Sequence, residues 1–145
     1  MAMAQTGHVE PAVREGGCLC GALRYRVTGQ PLSHSVCFCR QCRLSHAAGS
    51  VAWFAVSPDQ FQLVQGELST YRSSPGVYRR FCPVCGSAIV FADENSPGEV
   101  EITTATLDDP DALMPTREVW LSQRVAWAES APGLRHHPRA SWEGT

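Results

Sequence analysis

Leu23, Tyr25 and Val27 alternate with Arg24 and Arg26, the period-two pattern of a strand with one buried face. The run Val51 to Val56, which holds Trp53 and Phe54, is apolar throughout and predicts a strand buried on both faces. Phe61 to Val64, Leu68 to Arg72, Val77 to Phe81, Ala88 to Phe91 and Glu99 to Ile102 follow at short spacing. Gly66, Pro75-Gly76 and Pro97-Gly98 break these runs, and Arg117 to Leu121 supplies a last strand. Helical material is scarce. Ser57-Pro58-Asp59-Gln60 can cap one turn, Asp109 to Leu113 another, and Arg43 to Ala48 a third. The pattern predicts one mainly β domain, residues 16–131, built of antiparallel sheets with few short helices. Residues 1–15 and 132–145 show no apolar period and are expected to be flexible tails.

Composition narrows the class. A chain of 145 residues with 43% hydrophobic content can bury a core of its own, and no apolar stretch is long enough to cross a bilayer. The opening Met1-Ala2-Met3-Ala4-Gln5 lacks the charged start and apolar run of a secretory leader, so the expected location is the cytoplasm, with no membrane partner. A net charge of -2 gives no reason to expect nucleic acid. All twelve basic residues are Arg, which excludes a lysine Schiff base.

Seven cysteines in three groups carry the candidate chemistry: Cys18-x-Cys20, Cys37-x-Cys39-x-x-Cys42 and Cys82-x-x-Cys85. Short-spaced thiolates in a chain without a leader point to metal, because disulfides are rare in reducing compartments and an odd count cannot all pair. No βαβ context supports a redox Cys-x-x-Cys. A closed zinc site takes four protein ligands and an open one takes three, so seven suits one of each. Cys37, Cys39 and Cys42 lie within six residues and can hold one ion by themselves. Cys18, Cys20, Cys82 and Cys85 then meet as a four-sulfur site, closing a long loop where a crosslink stabilises most.

These motifs, Gly17-Cys18-x-Cys20-Gly21, Cys37-x-Cys39-x-x-Cys42-Arg43 and Phe81-Cys82-x-x-Cys85-Gly86-Ser87, resemble the glutathione-dependent formaldehyde-activating family, to which centromere protein V is related. The resemblance runs from about Gly16 to Trp127. It implies an Mss4-like fold with a structural zinc on Cys18, Cys20, Cys82 and Cys85 and a catalytic zinc on Cys37, Cys39 and Cys42, two ions per chain. It also implies a carbon–sulfur lyase that handles the adduct of glutathione and formaldehyde, with a small thiol and an aldehyde as partners. Two positions depart from the family pattern: Phe38 replaces the usual His of the central motif, and Glu118 stands where a late-strand His is expected.

Glu118 is therefore the candidate acid or base, and Arg40 and Arg43 are the candidate cations for glutathione's carboxylates, with Arg79 and Arg80 beside the later motif. His34 and His46 flank the central cysteines, and Ser87 is placed to donate to a sulfur. Two other readings use the same cysteines: a non-catalytic zinc module that binds glutathione or a protein, and a redox-sensitive zinc site.

Overall fold

The alternating and apolar runs become strands in the computed structural model, which describes residues 10–142. The outer parts of the expected tails, residues 1–9 and 143–145, lie outside the described residues. In chain order the elements are β1 (Val13–Gly17), β2 (Arg24–Thr28), β3 (Ser33–Cys37), α1 (Arg40–His46), β4 (Val51–Val56), β5 (Phe61–Gln65), β6 (Ser69–Ser74), β7 (Val77–Phe81), β8 (Ala88–Asp93), β9 (Val100–Thr103), β10 (Arg117–Val119) and β11 (Arg135–His136). Single 3-10 turns cover Pro58–Gln60, Thr104–Thr106, Pro110–Ala112 and Leu121–Gln123.

β1, β2 and β5 form a three-stranded sheet, and the other eight strands form a second sheet in the order β11-β10-β3-β4-β9-β8-β7-β6. The fold is mainly β, as the pattern predicts. Pairing is antiparallel except at one end, where β10 runs parallel to both β3 and β11.

Paired residues share a face of the sheet, so the register fixes what each face carries. Phe54 of β4 pairs with Ile102 of β9, which pairs with Val90 of β8. That face meets Leu23, just before β2, and Tyr25 and Val27 of the small sheet to make the main core. Tyr25, Phe54, Ile102 and Val56 have no exposed surface, and burying side chains of this size contributes about 1.5–3 kcal/mol each. On the other face, Ser33 pairs with Ala55, Ala55 with Glu101, Glu101 with Phe91, and Phe91 with Arg79. This second row mixes small, charged and aromatic side chains, and it becomes the floor of a cavity.

Several elements differ from the sequence reading. β1 and β3 read Val-Arg-Glu-Gly-Gly and Ser-His-Ser-Val-Cys, with no apolar alternation; the ladder partners decide them. Residues 13–15, assigned to the N-terminal tail, pair with β2. In the C-terminal stretch, residues 135–136 pair with β10, and the Trp120 and Leu121 amides donate to the Arg139 and His137 carbonyls. α1 starts at Arg40 rather than Arg43 because Cys39 is its N-cap, its sulfur accepting from the Cys42 amide at 3.3 Å. β10 stops at Val119 because Trp120 takes a left-handed conformation, φ 60°.

Gly16 lets β1 pack closely under the Tyr25 side chain and against the Thr104–Thr106 turn. A Cβ there would lie 2.4 Å from the Tyr25 hydroxyl and 2.5 Å from the Thr106 carbonyl oxygen. Gly16→Ala should destabilise the protein by about 1–3 kcal/mol, read as a melting point lowered by several degrees. Gly98→Ala, where a Cβ meets nothing within 4 Å, is the neutral comparison.

Candidate metal centres and the cavity between them

Two turns bring four sulfurs together at the edge of the core. In the first, the Cys18 amide donates to the Leu23 carbonyl at 3.1 Å and the Leu23 amide to the Cys18 sulfur at 3.3 Å. In the second, the Cys82 amide donates to the Ser87 carbonyl and the Gly86 amide to the Cys82 carbonyl, both at 2.9 Å. Gly21 and Gly86 both have φ of 79° with open space at the Cβ position, so glycine is used there for backbone conformation. The Ser87 hydroxyl ties the turns together, accepting from the Leu19 amide at 3.0 Å and lying 3.2 Å from the Cys85 sulfur. That hydroxyl holds the Cys85 thiol down to about 5.

The sulfurs of Cys18, Cys20, Cys82 and Cys85 all lie within 4.8 Å of one another. Cys18 and Cys20 are separated by 3.6 Å, and Cys20 and Cys82 by 3.8 Å. Sulfurs arranged tetrahedrally around zinc at about 2.3 Å are about 3.8 Å apart, so the donor set fits such an ion. Cys37 at the end of β3, Cys39 at the helix cap and Cys42 in α1 form a second group within the same 4.8 Å limit. Each group could hold a metal ion, and an all-thiolate set is consistent with zinc. Within the second group, hydrogen bonding with Cys37 and then Cys42 holds the Cys39 thiol down to about 2, and Cys39 in turn pushes the Cys37 thiol up.

The two groups differ in access. A cavity of about 900 Å³ is lined by Cys37, Cys39 and Cys42 and by none of the other four cysteines. Its floor is that second row of the large sheet, with Trp53, Phe91, Arg79 and Glu101 among the lining side chains. Trp120 and the segment Ala140–Trp142 also line it.

The remaining sequence candidates separate clearly. Arg40 is exposed and lines the cavity, whereas Arg43 does not, and its buried Nε has no hydrogen-bond partner. Arg79 lines the cavity but serves the fold: it donates to Ser73 Oγ at 3.3 Å, Ser45 Oγ at 3.3 Å and Gln41 Oε1 at 3.2 Å, and lies over the Phe91 ring. It thereby fastens α1 to the sheet. Arg80 alternates to the other face and is exposed. His46 is not part of the sulfur group; its Nδ1 lies 3.1 Å from the Cys42 carbonyl oxygen, its ring stands edge-on to Trp53, and burial lowers its pKa. His34 sits on the face opposite the cavity, paired with Phe54.

Glu118 is a correction. It was expected beside the open site, but Arg117 and Val119 line the cavity and Glu118, between them on β10, points to the other face. It is 1% exposed and accepts hydrogen bonds from the Ser130 hydroxyl and, at 2.6 Å, from the Ala131 amide; His136 Nε2 lies 3.5 Å away. Its carboxylate fastens the returning C-terminal segment. Phe38 is likewise buried, at 2% exposure, and does not line the cavity.

Three carboxyls line the cavity, Asp93, Glu99 and Glu101, and Glu101, which the sequence reading placed only in a strand, stands on the floor. Burial pushes its pKa up from 4.5 to about 7, and Glu99 adds to the shift, while Arg117 and Arg79 pull it back. The local signal was its place among Glu99, Val100 and Ile102, where an acid alternates into a buried strand.

The fold and site define a two-sheet β domain with two cysteine clusters that could each hold a metal ion, one of them opening on a cavity. The pattern of the family "glutathione-dependent formaldehyde-activating enzyme" matches residues 13–123, and the chain belongs to that family. A Halomonas elongata protein, provisionally named a glutathione-dependent formaldehyde-activating enzyme, is 30% identical over 125 residues, 79% of each chain. A crystal structure of a Rhodobacter sphaeroides protein is similar in fold, with a TM-score of 0.55 and 23% identity over 65% of this chain and 87% of that one. Among the described residues no helix is long and apolar enough to cross a membrane.

Ionising Glu101 is harder in the fold than in the unfolded chain. Its contribution to stability is therefore full below 4.5 and lost as pH rises to about 7. Glu101→Gln should remove that loss. Denaturant midpoints at about pH 5 and pH 8 will show a smaller difference in the variant than in the wild type if the carboxyl is buried as described.

Proposed function

We propose that the chain is a zinc-dependent carbon–sulfur lyase of the S-hydroxymethylglutathione synthase type, joining a glutathione-like thiol to formaldehyde and reversing that step. Family membership supports the reaction class. The observation that carries the reading is that only the three-sulfur cluster opens on the cavity. A four-thiolate ion has no open position, whereas three protein ligands leave one. On this reading Cys18, Cys20, Cys82 and Cys85 hold a structural zinc, and Cys37, Cys39 and Cys42 hold the catalytic one.

Zinc bound there would supply a position where a thiol gives up its proton and is held as thiolate, a soft donor suited to an all-sulfur site. The chain supplies the rest. Trp53, 4% exposed, walls off the Cys42 side from solvent. Arg79 holds α1, and with it Cys42, against the sheet. Arg40 at the cavity wall offers a charged donor for a substrate carboxylate. In the forward step the thiolate sulfur attacks the formaldehyde carbon; the carbonyl π pair moves to oxygen, which takes a proton. The reverse step breaks the same carbon–sulfur bond, with no net oxidation or reduction.

Ligand variants separate stability from chemistry. Cys82→Ser should lose one zinc equivalent and unfold or aggregate, because that site joins segments 62 residues apart and its binding energy is folding energy. Cys39→Ser should lose the other equivalent and remain folded but inactive. Zinc analysis and thermal melts of both check this, and equal destabilisation would refute the division of roles.

Thiol capture also has a pH signature. Glutathione should bind more tightly at about pH 8.5 than at about pH 7.5, because a proton is released on binding and the thiol's ordinary value lies near the upper figure. S-methylglutathione keeps every carboxylate but cannot form a thiolate, and should bind much more weakly. Calorimetry giving equal affinities for the two ligands would favour a binding module held by charge alone.

A further inference from the structure

The cavity floor carries two charges that thiol capture does not use. Glu101 projects from β9 in the row Ser33, Ala55, Glu101, Phe91, Arg79, and its carboxylate receives no hydrogen bond from the described residues. Arg117 lines the same cavity from β10, and its buried Nε has no hydrogen-bond partner. Arg117 is close enough for its charge to act on Glu101, yet no ion pair joins the two among the described residues. Between them on the sheet stand Ser33 and Ser35 of β3 and Ala55 and Trp53 of β4; three of the four are small, and Ser33, Ser35 and Trp53 line the cavity. Arg79, the other cation close to Glu101, already has its donors engaged by Ser45, Gln41 and Ser73.

Both groups are half-buried. A charge drawn part-way out of water without a partner is costly, and a ligand carrying both signs a bond or two apart would satisfy both groups. An α-amino acid head, with its ammonium beside its carboxylate, has that form. The reach also suits a short peptide. Trp53, which packs against Cys42, is a diagonal neighbour of Glu101 on paired strands, at about 7–8 Å. An extended tripeptide spans about 10 Å.

We infer that Glu101 and Arg117 form a subsite for the free α-amino acid head of the thiol substrate, Glu101 taking the ammonium and Arg117 the carboxylate. The site thereby selects thiols that carry such a head at peptide distance from the sulfur. This deepens the thiol-capture reading and rests on it. Glu99, just before β9, reinforces the negative side, and both Glu99 and Asp93 of β8 line the same cavity.

Three ligands test the assignment on the zinc-loaded protein: glutathione, glutaryl-cysteinylglycine, which lacks only the ammonium, and 4-aminobutyryl-cysteinylglycine, which lacks only that carboxylate. Wild type should bind each analogue about tenfold or more weakly than glutathione. Glu101→Gln should bind glutathione and the glutaryl analogue equally, and Arg117→Gln should bind glutathione and the aminobutyryl analogue equally, so that each loss cancels only in its own cycle. Zinc content and melting point confirm that both variants are folded. Losses that multiply independently in variant and ligand would overturn the subsite, as would analogues that bind wild type as well as glutathione does. S-methylglutathione separates this from the reading beneath it. If it binds as well as glutathione while the head discrimination persists, thiol capture fails and the subsite stands; if it binds weakly and the head analogues do not, the subsite fails alone.

Discussion

The alternation of side chains along β4 sets the arrangement of the whole molecule. Phe54 and Val56 point to one side and close the core against the small sheet, while Val51 and Trp53 point to the other and pack with Cys37 and Cys42. A one-residue slip in this strand would exchange the two sets, placing Trp53 in the core and Phe54 in the cavity. Ladders on both sides, to β3 and β9, hold the register. The apolar face therefore fixes the position of the polar one.

The two sulfur clusters sit differently on this frame. The four-sulfur group draws on turns far apart in sequence, and its Cys82 is in the main core at 1% exposure. A bound ion there would act where loop-closure entropy is largest. The three-sulfur group is local, running from the end of β3 into the first turn of α1, and depends on Arg79 and Trp53 for its placement. One cluster joins two surface turns and reaches the core through Cys82, with Cys20 exposed, and the other lines a cavity that a substrate can enter.

The C-terminal segment is part of the site, though not through the residue that the sequence reading favoured. Glu118 binds Ser130 and Ala131 and so turns the chain back alongside β10. That return carries Ala140, Ser141 and Trp142 to the cavity. A buried carboxylate with several donors is satisfied where it is, whereas Glu101 has charged neighbours and no hydrogen-bond donor. The chain thus holds a fastening acid and a cavity acid, and only the second faces the cysteines' side of the sheet.

What the sequence by itself determined is local or periodic. Alternation in Leu23–Val27, the apolar run of Val51–Val56 and the Gly and Pro breaks placed most strands, and ligand spacing divided seven cysteines into four and three, as the sulfur positions also do. The parallel end of the large sheet, the strand at Ser33–Cys37 and the contribution of residues 135–142 depend on partners distant in the chain. Glu101 and Arg117 are unremarkable in sequence for the same reason. Strand register brings them to one floor, and pairing between β3, β4, β9 and β10 is a property of contacts across the fold that no window of neighbouring residues contains.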